Sequence, residues 1–197
     1  MKYKNIIFDF GNVLASFQEN EMLSYFCDEA DYDILKPAVF SDWDRLDAGT
    51  LTLSECIERA LSKTPERLKP NVLAYFNNWY KYLKPLTQTW DFIQELKDRG
   101  YSIYILSNAP VQFAEHASSC YPIVKEFDGI VFSAPIKLAK PGPEIYQHLF
   151  QKYNLKPEEC FFIDDKPANI QAGQNLGMDG IIFTGDIEAV KQKIEFL

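Results

Sequence analysis

The residues of this chain best suited to chemistry are carboxylates, a serine and a lysine placed where apolar runs stop. Asn5-Ile6-Ile7-Phe8 ends abruptly at Asp9, and the turn formers Gly11 and Asn12 follow. Ile6 to Phe8 reads as a fully buried strand, which puts Asp9 at its carboxyl end. In an open parallel sheet that edge faces a crevice, so Asp9 is a candidate nucleophile as well as an ordinary loop opener. Three later segments share this grammar. Tyr101 to Leu106 ends in Ser107-Asn108, Lys140-Pro141-Gly142-Pro143 opens a helix, and Cys160 to Ile163 ends in Asp164-Asp165, with Asn169 four residues on.

A carboxylate nucleophile, a hydroxyl with an amide, one lysine and a carboxylate pair are what phosphoryl transfer asks for: position and charge neutralisation. Asp9 is ionised at neutral pH without an activating base. Ser107 and Asn108 can hydrogen-bond phosphoryl oxygens beside the backbone donors of a helix start, although such residues also serve as plain N-caps. Lys140 is a flexible point charge able to reach both a phosphate and Asp9, at a kind of residue that is usually solvent-exposed. Adjacent acids such as Asp164 and Asp165 commonly open a solvated helix, but at a strand end their repulsion calls for a cation. Mg2+ takes oxygen ligands, and one or two carboxylates plus a substrate oxygen suffice to hold it.

In this order the segments resemble the four motifs of the haloacid dehalogenase superfamily of hydrolases, and the resemblance spans essentially the whole chain. Asp-Phe-Gly-Asn-Val, Leu-Ser-Asn and Phe-Ile-Asp-Asp are most similar to the branch of sugar-phosphate phosphatases and the N-terminal phosphatase domain of bifunctional epoxide hydrolases. The resemblance implies hydrolysis through an aspartyl-phosphate on Asp9, assisted by Lys140, with Mg2+ held by Asp9, Asp165 and the neighbouring Asp164.

Two positions depart from the family pattern. Gly11 stands where a second aspartate usually protonates the leaving group and later activates water, and Asn169 replaces a later aspartate of the last motif. The backbone carbonyl of Gly11 is still an acceptable metal ligand. Aryl and anomeric phosphates, which need little protonation on leaving, are therefore expected to outrun primary alkyl phosphates. Gly11 also leaves room for a different class of reading, a phosphate-binding or regulatory protein with weakened turnover. A carbon–halogen hydrolase is the third reading, disfavoured because dehalogenases proper need no metal and lack the acidic pair. Active phosphatases of the resembled branch share the Asp-x-Gly-Asn arrangement, which favours the first reading.

The elements that position these residues follow from apolar spacing. Between about Glu19 and Leu83 it is helical: Met22, Leu23 and Phe26, then Leu35 and Val39, then Leu53, Ile57 and Leu61, then Leu73, Phe76, Trp79 and Tyr80. Thr52 with Glu55 makes a capping-box start for the third of these helices. From Pro85 onward strands and helices alternate, with Gly100 closing the first helix. The expected fold is α/β, a three-layer Rossmann-like parallel sheet with a small helical cap inserted after the first strand. Residues 1–16 and 84–197 form the core and 17–83 the cap, which in the resembled family closes over the phosphate and reads the substrate. Trp43, Arg45 and Asp47 are the candidate readers in that cap.

At 197 residues the chain can bury a sizeable core, and 47% hydrophobic with 24% charged residues is ordinary for a globular protein. The net charge of −8 argues against a nucleic-acid partner and leaves an anionic substrate to be neutralised locally, by a lysine and a metal. Cys27, Cys56, Cys120 and Cys160 lack the spacing of a zinc or redox motif and read as small apolar residues of a reducing cytosol. His116 and His148 are isolated within helical patterns. Lys2 and Lys4 precede too short an apolar run for a signal peptide, and no segment has the length of a membrane span, so a cytoplasmic location is expected. The substrate is a small phosphorylated metabolite, with a sugar phosphate as the expected class.

Overall fold

The computed structural model describes residues 2–195. Leu197, whose spacing with Ile187, Val190 and Ile194 predicts a last helix, lies outside them. Five strands form one parallel sheet in the order β5-β4-β1-β6-β7: β1 (Asn5–Phe8), β4 (Ser102–Ser107), β5 (Gly129–Phe132), β6 (Cys160–Asp164) and β7 (Asp179–Ile182). Their side chains alternate between two buried faces. Ile6, Phe8, Ile103, Ile105, Phe161 and Ile163 face one side, and Ile7, Tyr104, Leu106, Val131 and Phe162 face the other. Parallel strands linked by crossover helices are covered on both faces, which is why these strands read as continuous apolar runs.

Helices α6 (Thr87–Asp98), α7 (Val111–Cys120) and α11 (Ile187–Lys193) cover the first face. Helices α9 (Pro143–Tyr153) and α10 (Pro167–Asn175) cover the second. Gly100 takes φ +82 just past α6, the left-handed turn that frees the chain to enter β4. A four-residue helix, α8 (Ser133–Ile136), follows β5 without a break.

Chain residues between β1 and α6 leave the sheet through β2 (Ala15–Ser16) and return through β3 (Lys84–Pro85), which pair antiparallel as a narrow neck. Beyond the neck lie α1 (Glu19–Ser24), α2 (Tyr32–Phe40), α3 (Trp43–Asp47), α4 (Leu53–Ser62) and α5 (Lys69–Asn78). The capping box of α4 is formed in both directions: Thr52 Oγ1 accepts from the Glu55 N–H, and the Glu55 carboxylate accepts from the Thr52 N–H. Met22, Val39, Tyr75 and Phe76 of this segment belong to the same buried cluster as Phe8 and Phe113. The helical segment is thus seated on the sheet domain by continuous apolar packing. Among the described residues no helix is long and apolar enough to cross a membrane. All four cysteines are free thiols; Cys56 and Cys160 are buried, Cys27 and Cys120 half-buried.

Candidate active site

Strand register brings the candidate residues together. Phe8 lies opposite Ile105 on β4 and Ile163 on β6, so the next residue, Asp9, emerges between Leu106 and Asp164. The Asp9 N–H donates to the Ile163 carbonyl at 2.9 Å, extending the ladder by one rung and fixing the backbone of the carboxylate. Chain connections depart in opposite directions from β1 and β6, toward β4 on one side and β7 on the other. Asp9 and Asp164 therefore stand at the topological switch point, where ligands bind in open α/β sheets.

Lys140 is buried among them. Its Nζ donates to Asp164 Oδ2 at 2.6 Å, lies 2.9 Å from Asp9 Oδ1 and donates to the Leu106 carbonyl at 2.9 Å, so all three ammonium protons have acceptors. Burial disfavours its charge, yet Asp9 and Asp164 outweigh that and raise its pKa. Burial likewise raises the Asp9 carboxyl; Lys140 opposes this, the Asp164 charge adds to it, and the Ser107 hydroxyl lowers it. Phe10 N–H also donates to Asp9 Oδ1 at 2.7 Å, which holds the carboxylate in one rotation.

Asn108 works on the same lysine from behind. Its Oδ1 accepts from the Lys140 N–H at 2.8 Å and its Nδ2 donates to the Lys140 carbonyl at 2.9 Å. Expected to meet a phosphoryl group, Asn108 spends an acceptor and a donor on positioning the Lys140 backbone, while still lining the cleft. Asn169 plays a comparable part for Asp164, donating to both carboxylate oxygens at 3.0 Å, with the Lys166 N–H donating to Oδ1 at 2.8 Å. This role was not legible in the sequence, because it depends on a helix turn placed against a strand end.

Asp165, half-buried, faces the other way and accepts from Asn12 Nδ2 at 3.0 Å. Asn12 has φ +56, a left-handed conformation asparagine tolerates, and its Oδ1 accepts from the Phe17 N–H at 2.9 Å. The signal for Asn12 was present in the Gly-Asn turn, but its partner lies 153 residues away. Asp9, Asp164 and Asp165 each offer an oxygen, and these atoms lie within 4.8 Å of one another. Such a group of hard oxygen donors fits a divalent cation of the Mg2+ type.

Asp9 and Asp165 line a cleft of ≈ 730 Å3 including its open mouth, while Asp164 is fully buried. Gly11, Ser107 and Lys140 lie along the floor; Phe17, Trp43, Trp79 and Phe113 form an aromatic wall; Asp44 and Lys166 supply charge, and Asp47 lines the same cleft. Trp43 lines the cleft and is also a packing anchor, its ring set against Phe17, Phe76 and Trp79. Arg45 is not brought to the cleft. It is exposed and pairs with Asp42, because a helical residue two after Trp43 points away from the face Trp43 buries.

A family model for haloacid dehalogenase-like hydrolases matches residues 3–177. A sesquiterpene phosphatase of Aspergillus oryzae is 26% identical over 186 residues, covering 94% of this chain and 92% of that protein. D-ribitol-5-phosphate phosphatase of Bacteroides thetaiotaomicron is 28% identical over 191 residues, 89% of each. Among solved structures, a haloacid dehalogenase family enzyme from Bacteroides thetaiotaomicron, in complex with magnesium and inorganic phosphate, superposes with a TM-score of 0.75 at 22% identity, covering 95% of this chain and 98% of that one. With the family model matched over most of its length, the chain belongs to the haloacid dehalogenase-like hydrolases.

Proposed function

We propose that the protein is a Mg2+-dependent phosphatase of small phosphorylated metabolites, a sugar phosphate being the class that suits the cleft. The observation that carries this reading is buried Lys140 paired with both Asp9 and Asp164, with Asp165 completing a group of three carboxylates whose oxygens lie within 4.8 Å of one another. Asp9 attacks phosphorus as the bond to the leaving oxygen breaks, and water then attacks the aspartyl-phosphate and restores the carboxylate. Lys140 keeps Asp9 ionised and offers positive charge to the phosphoryl oxygens, while Ser107 orients the nucleophile. Asp9, Asp164, Asp165 and the Gly11 carbonyl are the groups to hold Mg2+, which when bound neutralises the transferring phosphoryl group.

Phosphatase relatives on both sides of the sugar and terpene divide support the reaction class, and the magnesium and phosphate bound by the similar Bacteroides enzyme support the cofactor. Segment 17–83 acts as the cap over a core of 1–16 and 84–197, and Trp43 packs on the C–H face of a sugar. Free thiols suit a reducing, cytoplasmic compartment. A protein that only binds phosphate is the second reading, favoured by Gly11. Hydrolysis of a phosphate panel in Mg2+ and in excess chelator separates the two. Asp9→Asn is expected to abolish turnover with an unchanged circular dichroism spectrum, and most activity surviving in that variant refutes the aspartyl-phosphate route.

A further inference from the structure

Building on the phosphatase reading, we propose that Asp47 of the helical segment is the general acid and base of the reaction, taking the task that Gly11 cannot perform. Asp47 closes α3 and lines the same cleft as Asp9 and Lys140. Its Oδ1 is buried without a hydrogen-bond partner among the described residues. A buried, unpaired carboxylate oxygen costs free energy, and a site facing the reacting group gives it a use.

The position is held from the core. Ser133 Oγ of α8 donates to the Asp47 carbonyl and accepts from the Ala109 N–H at 2.9 Å, so one hydroxyl ties Asp47 to the loop that follows Ser107 and carries Asn108. Gly49, at φ +66, lies so close to Ala134 that a Cβ there would collide with the Ala134 carbonyl. Both contacts seat this end of α3 against the sheet edge where Asp9 emerges.

Electrostatics agree with the role. Burial pushes the Asp47 carboxyl up to about 8; Lys166 and Lys140 oppose this, Asp44 and Asp9 reinforce it. The carboxyl therefore holds a proton at neutral pH, as a donor to a leaving alkoxide must. In the first step the Asp9 oxygen–phosphorus bond forms, the phosphorus–leaving-oxygen bond breaks and the Asp47 proton passes to that oxygen, releasing an alcohol. In the second, Asp47 carboxylate takes a proton from water as its oxygen attacks phosphorus, the Asp9 bond to phosphorus breaks, and inorganic phosphate departs.

Asp47 changes the expectation drawn from Gly11. With an acid in the cleft the wild type handles poor leaving groups, and the bias toward aryl and anomeric phosphates appears only when Asp47 is removed. The test compares wild type and Asp47→Asn on p-nitrophenyl phosphate and glycerol 3-phosphate in Mg2+. kcat/KM on the alkyl ester is expected to fall by ~10²–10⁴-fold, the usual worth of general acid help, with a much smaller loss on the aryl ester. The ratio is taken within one preparation, so the folded fraction cancels. A nitrophenolate burst and a trapped phosphoryl group on Asp9 are expected in the variant, because water activation is lost as well. If the wild type hydrolyses neither ester, the phosphatase reading falls and Asp47's role with it. Should the wild type turn over and the variant keep its alkyl-to-aryl ratio, the phosphatase reading stands and the Asp47 assignment is overturned.

Discussion

Lys140 shows how a single residue sets the state of a site. Each of its protons is spent on Asp9, Asp164 or the Leu106 carbonyl, and both carboxylates are buried with it. Lys140→Ala is expected to destabilise the fold by about 3–5 kcal/mol, since it leaves buried carboxylates without their counter-charge, and to remove turnover as well. Denaturant titration measures the first effect, and a midpoint equal to wild type would place the ammonium outside the buried network. Asp47 carries a stability signature of its own. Its folded-state carboxyl titrates at about 8 against an ordinary 3.8, so the native state binds the extra proton. The stability it contributes is full below about 4 and is lost as pH rises toward 8. Asp47→Asn should therefore gain on wild type through that window in melting temperature, and a constant difference from pH 4 to 9 would contradict a buried protonated carboxyl. Asp9, Lys140 and the acidic pair were legible because each sits where an apolar run meets a turn. The positioning roles of Asn169 and Asn108 and the proton held by Asp47 were not, because they arise from partners brought in from other strands and helices.

Elements explain why these residues meet at all. Continuous apolar runs ending at turn signals marked β1, β4 and β6 to within a residue, and the Thr52–Glu55 box and Gly100 marked helix ends directly. The neck β2–β3 and the one-turn α8 carry no such signal, being too short for any periodicity. Yet α8 is what docks α3, through Ser133 and the close approach of Gly49 to Ala134. Two glycines at positive φ allow a controlled comparison. Gly100, at φ +82, has nothing within 4 Å of an added Cβ, so alanine there meets backbone strain alone. Gly49 adds a collision with backbone that has no flexible end to yield. Gly100→Ala is expected to cost about 1 kcal/mol and Gly49→Ala clearly more than the roughly 1–3 kcal/mol of strain alone. Thermal melts rank the two, and Gly49→Ala should also lower kcat/KM on an alkyl phosphate by displacing Asp47. Equal stability of the two variants would mean that α3 is not pinned at this point.

At the scale of the whole molecule, folding gathers like charges that the unfolded chain keeps apart. Asp9 lies 155 residues from Asp164, and only the β1–β6 pairing brings their oxygens, with Asp165, within 4.8 Å. Lys140 offsets part of that charge, while the protein as a whole carries −8 and supplies no general positive field. A divalent cation should therefore bind the native state and ignore the unfolded one, which makes it a stabiliser by mass action. At a hundred times its dissociation constant Mg2+ is expected to add about 2.7 kcal/mol. For a chain of this size that corresponds to a rise in melting temperature of roughly 5–10 °C. Scans at matched ionic strength with KCl separate specific binding from screening of the overall negative charge. Asp165→Asn should reduce the shift while leaving Lys140 paired, and inorganic phosphate should add to it only when Mg2+ is present. Identical melting curves in Mg2+ and in chelator would show that the three carboxylates, close as they are, do not hold the ion.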